Sequence, residues 1–127
     1  MSLRSLLIVK KLSAESFVKQ NSSNMKTHTI ELFLSGPIEV AKQVIRRHVM
    51  LHPKCVTVTP TTFIYTGGEE SGYIVGLRAY PRFPETPESL DEYAVDLANV
   101  LLDETHQMSA MIVGPEKTEW ITRRSKK

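Results

Sequence analysis

Four side chains beside a proline-rich segment are the strongest candidates for binding chemistry. Arg78, Tyr80, Arg82 and Phe83 lie within six positions, and three prolines within 81–87 stiffen the backbone that carries them. Guanidinium groups bind anions through paired hydrogen bonds, and aromatic rings stack on planar or cationic groups. The segment therefore predicts a site for a small anionic ligand or a protein partner. The alternative is that it only carries the chain over the edge of a sheet.

The histidines and the single cysteine indicate no strong catalytic or metal motif. His48 and His52 are four residues apart, which places both on one face of a helix. Val49 stands where a zinc-protease helix has glutamate, and Pro53 ends the helix. We therefore predict no catalytic residue, no metal site and no cofactor. A small enzyme using His52 with Cys55 remains an alternative, because a thiol nucleophile needs a neighbouring base.

Two groups of carboxylates are also interpreted as structural. One group has the spacing of a solvent-facing helix surface: Asp91, Glu92, Asp96, Asp103 and Glu104. The other, Glu69 and Glu70, follows Gly67-Gly68 and is interpreted as part of a hairpin turn over 66–70. Neither group is predicted to form a site.

The periodicity of apolar residues predicts six elements in the order β-α-β-β-α-β. Residues 29–34 alternate as a strand, a helix follows Pro37, and a second helix follows Thr86-Pro87, where threonine suits the N-cap. The remaining strands are predicted at 55–65, 72–80 and 108–113, with 118–122 as an extension of the last. This order is typical of an α+β, ferredoxin-like domain with a four-stranded antiparallel sheet backed by two helices.

The sheet face opposite the helices, called the open face below, presents Phe33 and Ile74 among mostly polar neighbours. Apolar side chains on an uncovered sheet favour association. We therefore predict a homo-oligomer, either a dimer or a trimer.

Composition sets the outer limits of the prediction. The 127 residues are 41% hydrophobic and 24% charged, enough for one domain, and no apolar run is long enough to cross a membrane. We expect a domain over 25–122, a peripheral or poorly ordered extension over 1–24, and a basic tail over 123–127. A cytoplasmic location is expected.

Charge distribution argues against nucleic acid as the main partner. The net charge is +2, but residues 25–111 hold seven basic and eleven acidic side chains, so the positive charge is at the two ends. A nucleic-acid-binding domain that uses the open face and the basic C-terminus is kept as an alternative.

Two stretches resemble known families. Cys55–Pro60, followed by Tyr65 and by Tyr73–Val75, resembles a hairpin of CutA-type proteins, which are ferredoxin-like trimers, although Thr66 replaces the expected tryptophan. A second set of stretches is similar to small uncharacterised proteins of tailed bacteriophages: Ile64–Glu70, Ile74–Leu77 and Tyr80–Pro84. The second resemblance implies a phage accessory or inhibitor protein in the host cytoplasm. The sequence as a whole then predicts a non-enzymatic oligomer that captures a small anionic ligand or a host protein.

Overall fold

The computed structural model describes residues 24–124. The predicted extension therefore lies outside the described residues except for its last position, and so do the final three residues of the predicted tail. The main compact unit comprises 27–79 and 85–124, and the segment Tyr80–Pro84 belongs to a second unit. The proline-rich segment is accordingly described by itself.

The main unit contains two helices and one five-stranded sheet. Its elements in chain order are β1 (Thr29–Ser35), α1 (Ile38–Leu51), β2 (Thr57–Tyr65), β3 (Gly68–Arg78), α2 (Pro87–Glu104), β4 (Ser109–Val113) and β5 (Thr118–Thr122). The sheet has the strand order β2-β3-β1-β4-β5, and every neighbouring pair is antiparallel. The prediction of an α+β domain with two helices and an antiparallel sheet is thus confirmed. The four-strand description is not, because β5 pairs with β4 as a separate edge strand after the break at Gly114-Pro115.

Local sequence explains where the second helix begins and ends. The Thr86 hydroxyl accepts a hydrogen bond from the Ser89 amide at 3.0 Å, and Pro87 occupies the first turn, where no amide donor is needed. The helix ends as His106 adopts a left-handed conformation with φ 58°. The predicted cap at Thr86 is therefore confirmed.

The β2–β3 hairpin differs from its prediction. The turn is only Thr66-Gly67, and Gly67 has φ +91°, a conformation that side chains rarely adopt. Glu69 and Glu70, which the composition placed in the turn, are instead strand residues of β3. The tight turn is possible because Gly67 supplies the positive φ within two residues.

One sheet face and both helices enclose the core. Alternate residues of the three central strands, among them Leu32, Val75 and Ile112, are buried against apolar positions of the helices such as Leu97 and Leu101. Within residues 24–124, no polar or charged residue is buried. The core therefore holds the sheet rigidly while its other face stays available for a site.

Among the core side chains within residues 24–124, only Tyr73 has an unpaired polar atom. It is completely buried, and its hydroxyl makes no hydrogen bond within the described residues. Burial raises the pKa of Tyr73 to about 12, an effect that the nearby Thr105 hydroxyl only partly offsets. The neutral hydroxyl is thus strongly favoured in the folded state.

This pKa predicts a loss of stability in alkali. Below pH 10, Tyr73 is neutral in both the folded and the unfolded chain, so it contributes no pH dependence. Between pH 10 and about 12 the unfolded chain loses the proton and the folded chain keeps it, so the free energy of unfolding falls by about 1.4 kcal/mol per pH unit. Tyr73→Phe is expected to abolish this part of the decline and to be neutral or slightly stabilising at pH 7. Urea unfolding of both proteins from pH 7 to 11.5 checks it, and parallel curves would contradict it.

Within the described residues, neither helix is long and apolar enough to span a membrane.

Candidate functional site

The open face carries a row of apolar side chains across the sheet. Pairing places Ile74 opposite Phe33, Phe33 opposite Met111, and Met111 opposite Trp120, so the row crosses from β3 through β1 and β4 to β5. Trp120 is 63% exposed at the edge, and the other three are half-buried. The predicted neighbours Phe33 and Ile74 are thus joined by two residues that the prediction did not include.

The β2–β3 hairpin extends beyond the rest of the sheet. The β1–β3 pairing stops at Gly72, which lies opposite Ser35, whereas the β2–β3 pairing continues to Tyr65 and Gly68. Residues 62–71 therefore form a two-stranded projection, called the arm below. All of its residues except Phe63 are exposed.

The arm places two aromatic rings and a carboxylate on the open face. Phe63 lies directly opposite Glu70, and Tyr65 lies two residues farther along the same strand, opposite Gly68. Side chains two apart on a strand share a face, and directly opposite Cβ atoms are about 5 Å apart. Phe63, Tyr65 and Glu70 can therefore contact one ligand.

Two glycines allow the rings to lie against the backbone. A Cβ built on Gly72 would come within 2.4 Å of Phe63 Cε2, and one built on Gly68 would come within 3.0 Å of Tyr65 Cε1. Each ring therefore occupies space that a side chain would otherwise fill. Tyr65 still keeps 54% of its surface exposed, so part of its ring is available for stacking.

The charge on the arm is negative. Glu69 and Glu70 are exposed, and within the described residues neither makes an ion pair. Strand alternation puts Glu70 on the open face with the rings and Glu69 on the opposite face. A carboxylate beside aromatic rings favours a ligand that combines positive charge with a planar group.

The structure does not assemble the predicted four-residue site within one unit. Arg78 is the last residue of β3 in the main unit, whereas Tyr80, Arg82 and Phe83 belong to the segment Tyr80–Pro84. In that segment the Phe83 amide donates to the Tyr80 carbonyl at 3.0 Å, and the Arg82 guanidinium lies 5.5 Å from the Phe83 ring centroid. A ligand-binding role for these residues remains a prediction.

The histidine pair lies at the end of α1. The rings of His48 and His52 are 4.8 Å apart, and Tyr93 of α2 contacts His48 edge-on while donating its hydroxyl to the His52 carbonyl at 2.5 Å. Burial and the adjacent His52 lower the pKa of His48, and burial with Glu85 raises the pKa of Tyr93. These contacts join the two helices.

The other sequence-based expectations concern the cysteine and metal ligands. Cys55 is exposed and precedes β2 rather than starting it. Within residues 24–124, no three His, Cys, Asp or Glu side chains are grouped as a metal ion would require.

The arm site was missed because its carboxylates were assigned to a turn. Placing the turn at Thr66-Gly67 would have paired Tyr65 with Gly68 and Phe63 with Glu70 by counting outward. The useful signal was the pair Gly67-Gly68. A two-residue turn needs only one glycine with positive φ, so the second glycine can already belong to the strand.

Comparison with known proteins identifies the fold but no family. A scan against family models finds no match, and a search of curated protein sequences finds none either. Among solved structures, a phage SAM lyase in complex with S-methyl-5'-thioadenosine is similar over 83% of this chain and 100% of its own, with a TM-score of 0.64 and 12% identity. A phage SAM lyase in the apo state matches over the same shares with a TM-score of 0.57 and 14% identity. At this identity the likeness concerns the fold.

These neighbours change the functional interpretation. These two neighbours contradict the prediction of a non-enzymatic binding protein, because both are structures of an enzyme. Both are phage proteins, which fits the phage resemblance at that coarse level, whereas the CutA-type resemblance is not shown.

Proposed function

We propose that the protein is a lyase that cleaves S-adenosylmethionine (SAM) and releases S-methyl-5'-thioadenosine at the open face of the arm. The observation that carries the proposal is the placement of Phe63, Tyr65 and Glu70 on one face of a projecting hairpin. The likeness to a phage SAM lyase along that protein's full length supports the reaction class.

The arm matches the chemistry of this substrate. SAM has a planar adenine, a sulfonium and an ammonium group, so it combines a stacking surface with positive charge. Phe63 and Tyr65 offer rings for the adenine, and Glu70 offers a carboxylate for the ammonium group. In this arrangement Glu70 binds and orients the substrate rather than transferring a proton.

The reaction needs no water and no added base. The substrate's own carboxylate attacks the γ-carbon of its methionine part, and the carbon–sulfur bond breaks as the carbon–oxygen bond forms. The electron pair of the broken bond stays on sulfur, which turns the sulfonium into the neutral thioether S-methyl-5'-thioadenosine. The four-carbon fragment leaves as a five-membered lactone. The contribution of the protein is to hold the reacting groups together and exclude water.

The proposal is tested by incubating the protein with SAM in ¹⁸O-labelled water and analysing the products by mass spectrometry. We expect S-methyl-5'-thioadenosine to accumulate with the protein faster than in a protein-free control. The four-carbon product, quenched early, should carry no ¹⁸O in its ring. Label incorporated at the γ-carbon hydroxyl in the initial product would indicate hydrolysis, and a rate equal to the control would reject the activity.

A further inference from the structure

We infer that His48 and His52, at the end of α1, form a binding site for one divalent transition-metal ion, with Cu²⁺ as the preferred metal. The site lies apart from the arm. The Gly36 amide donates to the Ser71 carbonyl, so α1 begins beside the arm, and the histidine pair lies about 20 Å farther along this 14-residue helix. The inference therefore does not rest on the proposed function.

The spacing of the two rings is suited to chelation. Histidines four residues apart share one face of a helix, and the ring centroids of this pair are 4.8 Å apart. An imidazole nitrogen bound at about 2.0–2.1 Å places the ring centroid about 3.2 Å from the metal. Two centroids 4.8 Å apart then subtend an angle of roughly 95° at the ion. This angle is close to the right angle between neighbouring ligands in the tetragonal geometry of Cu²⁺.

Contacts on both histidines hold the pair in place. The His52 amide donates to the His48 carbonyl at 2.8 Å, which continues the helical turn to the second histidine. Tyr93 of α2 donates its hydroxyl to the His52 carbonyl, and its ring lies edge-on against the His48 ring with the centroids 5.3 Å apart. The His52 side chain itself is exposed, so its ring can turn one nitrogen toward the ion. Binding therefore has to order little more than this one ring.

The electrostatic surroundings favour neutral rings with a cation beside them. A metal ion binds the neutral imidazole, and burial together with the adjacent His52 lowers the pKa of His48. The Asp96 carboxylate of α2 acts on that pKa in the opposite direction, so its negative charge reaches the His48 ring. A divalent ion bound at the pair gains from the same negative charge.

The missing glutamate of the zinc-protease motif does not argue against binding. In that motif the glutamate is the general base and the two histidines are the ligands, so Val49 in its place removes the catalysis and leaves the chelate. The described residues hold no group of three candidate ligands, so water must fill the other coordination positions. Nitrogen ligands in such an open site favour Cu²⁺, which forms the most stable complexes among the divalent first-row metals. Zn²⁺ prefers four tetrahedral ligands and should bind more weakly.

Calorimetric titration of the tag-free protein with CuCl₂ tests the inference. We expect one high-affinity ion per chain. His52→Ala should weaken binding by at least about tenfold, because even the loss of an outer-shell partner of a metal ligand has an effect of this size. The control is His106→Asn, which removes an exposed histidine outside the pair, and asparagine tolerates the left-handed backbone at this position. This variant should leave the affinity unchanged.

Electron paramagnetic resonance of the Cu²⁺ complex identifies the ligands independently of affinity. The wild-type spectrum should show splitting by two imidazole nitrogens, and the His52→Ala spectrum should show splitting by one. Circular dichroism without metal verifies that His52→Ala folds, which is expected because this side chain is exposed. Equal affinities of the wild type and His52→Ala, a wild-type spectrum with a single nitrogen, or an equal loss in His106→Asn would overturn the site. Tighter binding of Zn²⁺ than of Cu²⁺ would overturn the assigned metal.

Discussion

Replacing Glu70 with glutamine is expected to lower kcat/KM for SAM cleavage by about 10- to 100-fold. The substitution keeps the size and the hydrogen-bonding oxygen of the side chain but removes its charge, and a hydrogen bond to a charged group contributes about 1.5–3 kcal/mol. Because the proposed role is to hold the ammonium group, most of the loss should appear as a higher KM.

The adjacent carboxylate is the matched control. Glu69 is exposed on the same strand, one residue away, and its position alternates to the opposite face of the hairpin. Glu69→Gln removes the same charge but from the face turned away from the proposed site, so it should change kcat/KM by less than about threefold.

Steady-state assays of the two variants show whether the loss of activity is specific to Glu70 or follows from any loss of negative charge on the arm. Circular dichroism verifies that both variants fold. Equal losses in both would indicate that only the overall negative charge of the arm matters. A fully active Glu70→Gln enzyme would remove this residue from the site.

The aromatic residues contribute the other half of the proposed binding. Phe63 lies opposite Glu70 and its ring fills the space above Gly72. A side chain at Gly72 would also approach the Leu34 carbonyl oxygen to 2.4 Å, so the backbone itself restricts this position to glycine. The site is therefore built on the pairing between two strands rather than on a loop, which holds it in a defined geometry.

The fold was predictable to the level of its elements because their signals are local. The cap at Thr86 and the alternation over 29–34 each depend on a few adjacent residues, and the structure contains both features. The fifth strand was assigned as an extension because only pairing, which is a non-local property, distinguishes it from a continuation of β4.

The candidate site was less predictable for the same reason. Its geometry depends on the register between β2 and β3, and a turn interpreted as five residues instead of two moved Glu70 out of the sheet. The predicted cluster at Arg78–Phe83 relied on closeness in sequence, and the boundary between the two units passes through it. Closeness along the chain was thus a poor guide to which functional groups share a surface.

Lys54→Ala is expected to lower the free energy of unfolding by about 3 kcal/mol, the largest effect on stability that we predict outside the apolar core. The Lys54 ammonium pairs with the Glu85 carboxylate, and their side chains are only 10% and 19% exposed. Lys54 Nζ also lies 5.1 Å from the centroid of the Tyr93 ring. Removing the lysine would leave a mostly buried carboxylate that still accepts a hydrogen bond from the Ser89 hydroxyl at 3.4 Å. Breaking a buried pair by removing one partner costs about 3–5 kcal/mol, and partial exposure places this pair at the lower end.

Two further variants distinguish two contributions to this loss of stability: the cost of an unpaired buried charge and the cost of losing the lysine side chain. Lys42 of α1 pairs with Glu39 while the two side chains are 35% and 76% exposed, so Lys42→Ala should cost less than about 0.5 kcal/mol. Combining Lys54→Met with Glu85→Leu should recover most of the loss, because no charge is then left buried and the packing volume is retained. Urea unfolding of all three proteins at pH 7 measures these differences. If Lys54→Ala costs no more than Lys42→Ala, water must reach the Lys54–Glu85 pair, and the connection between the end of α1 and the start of α2 would then depend mainly on the Tyr93 hydrogen bond.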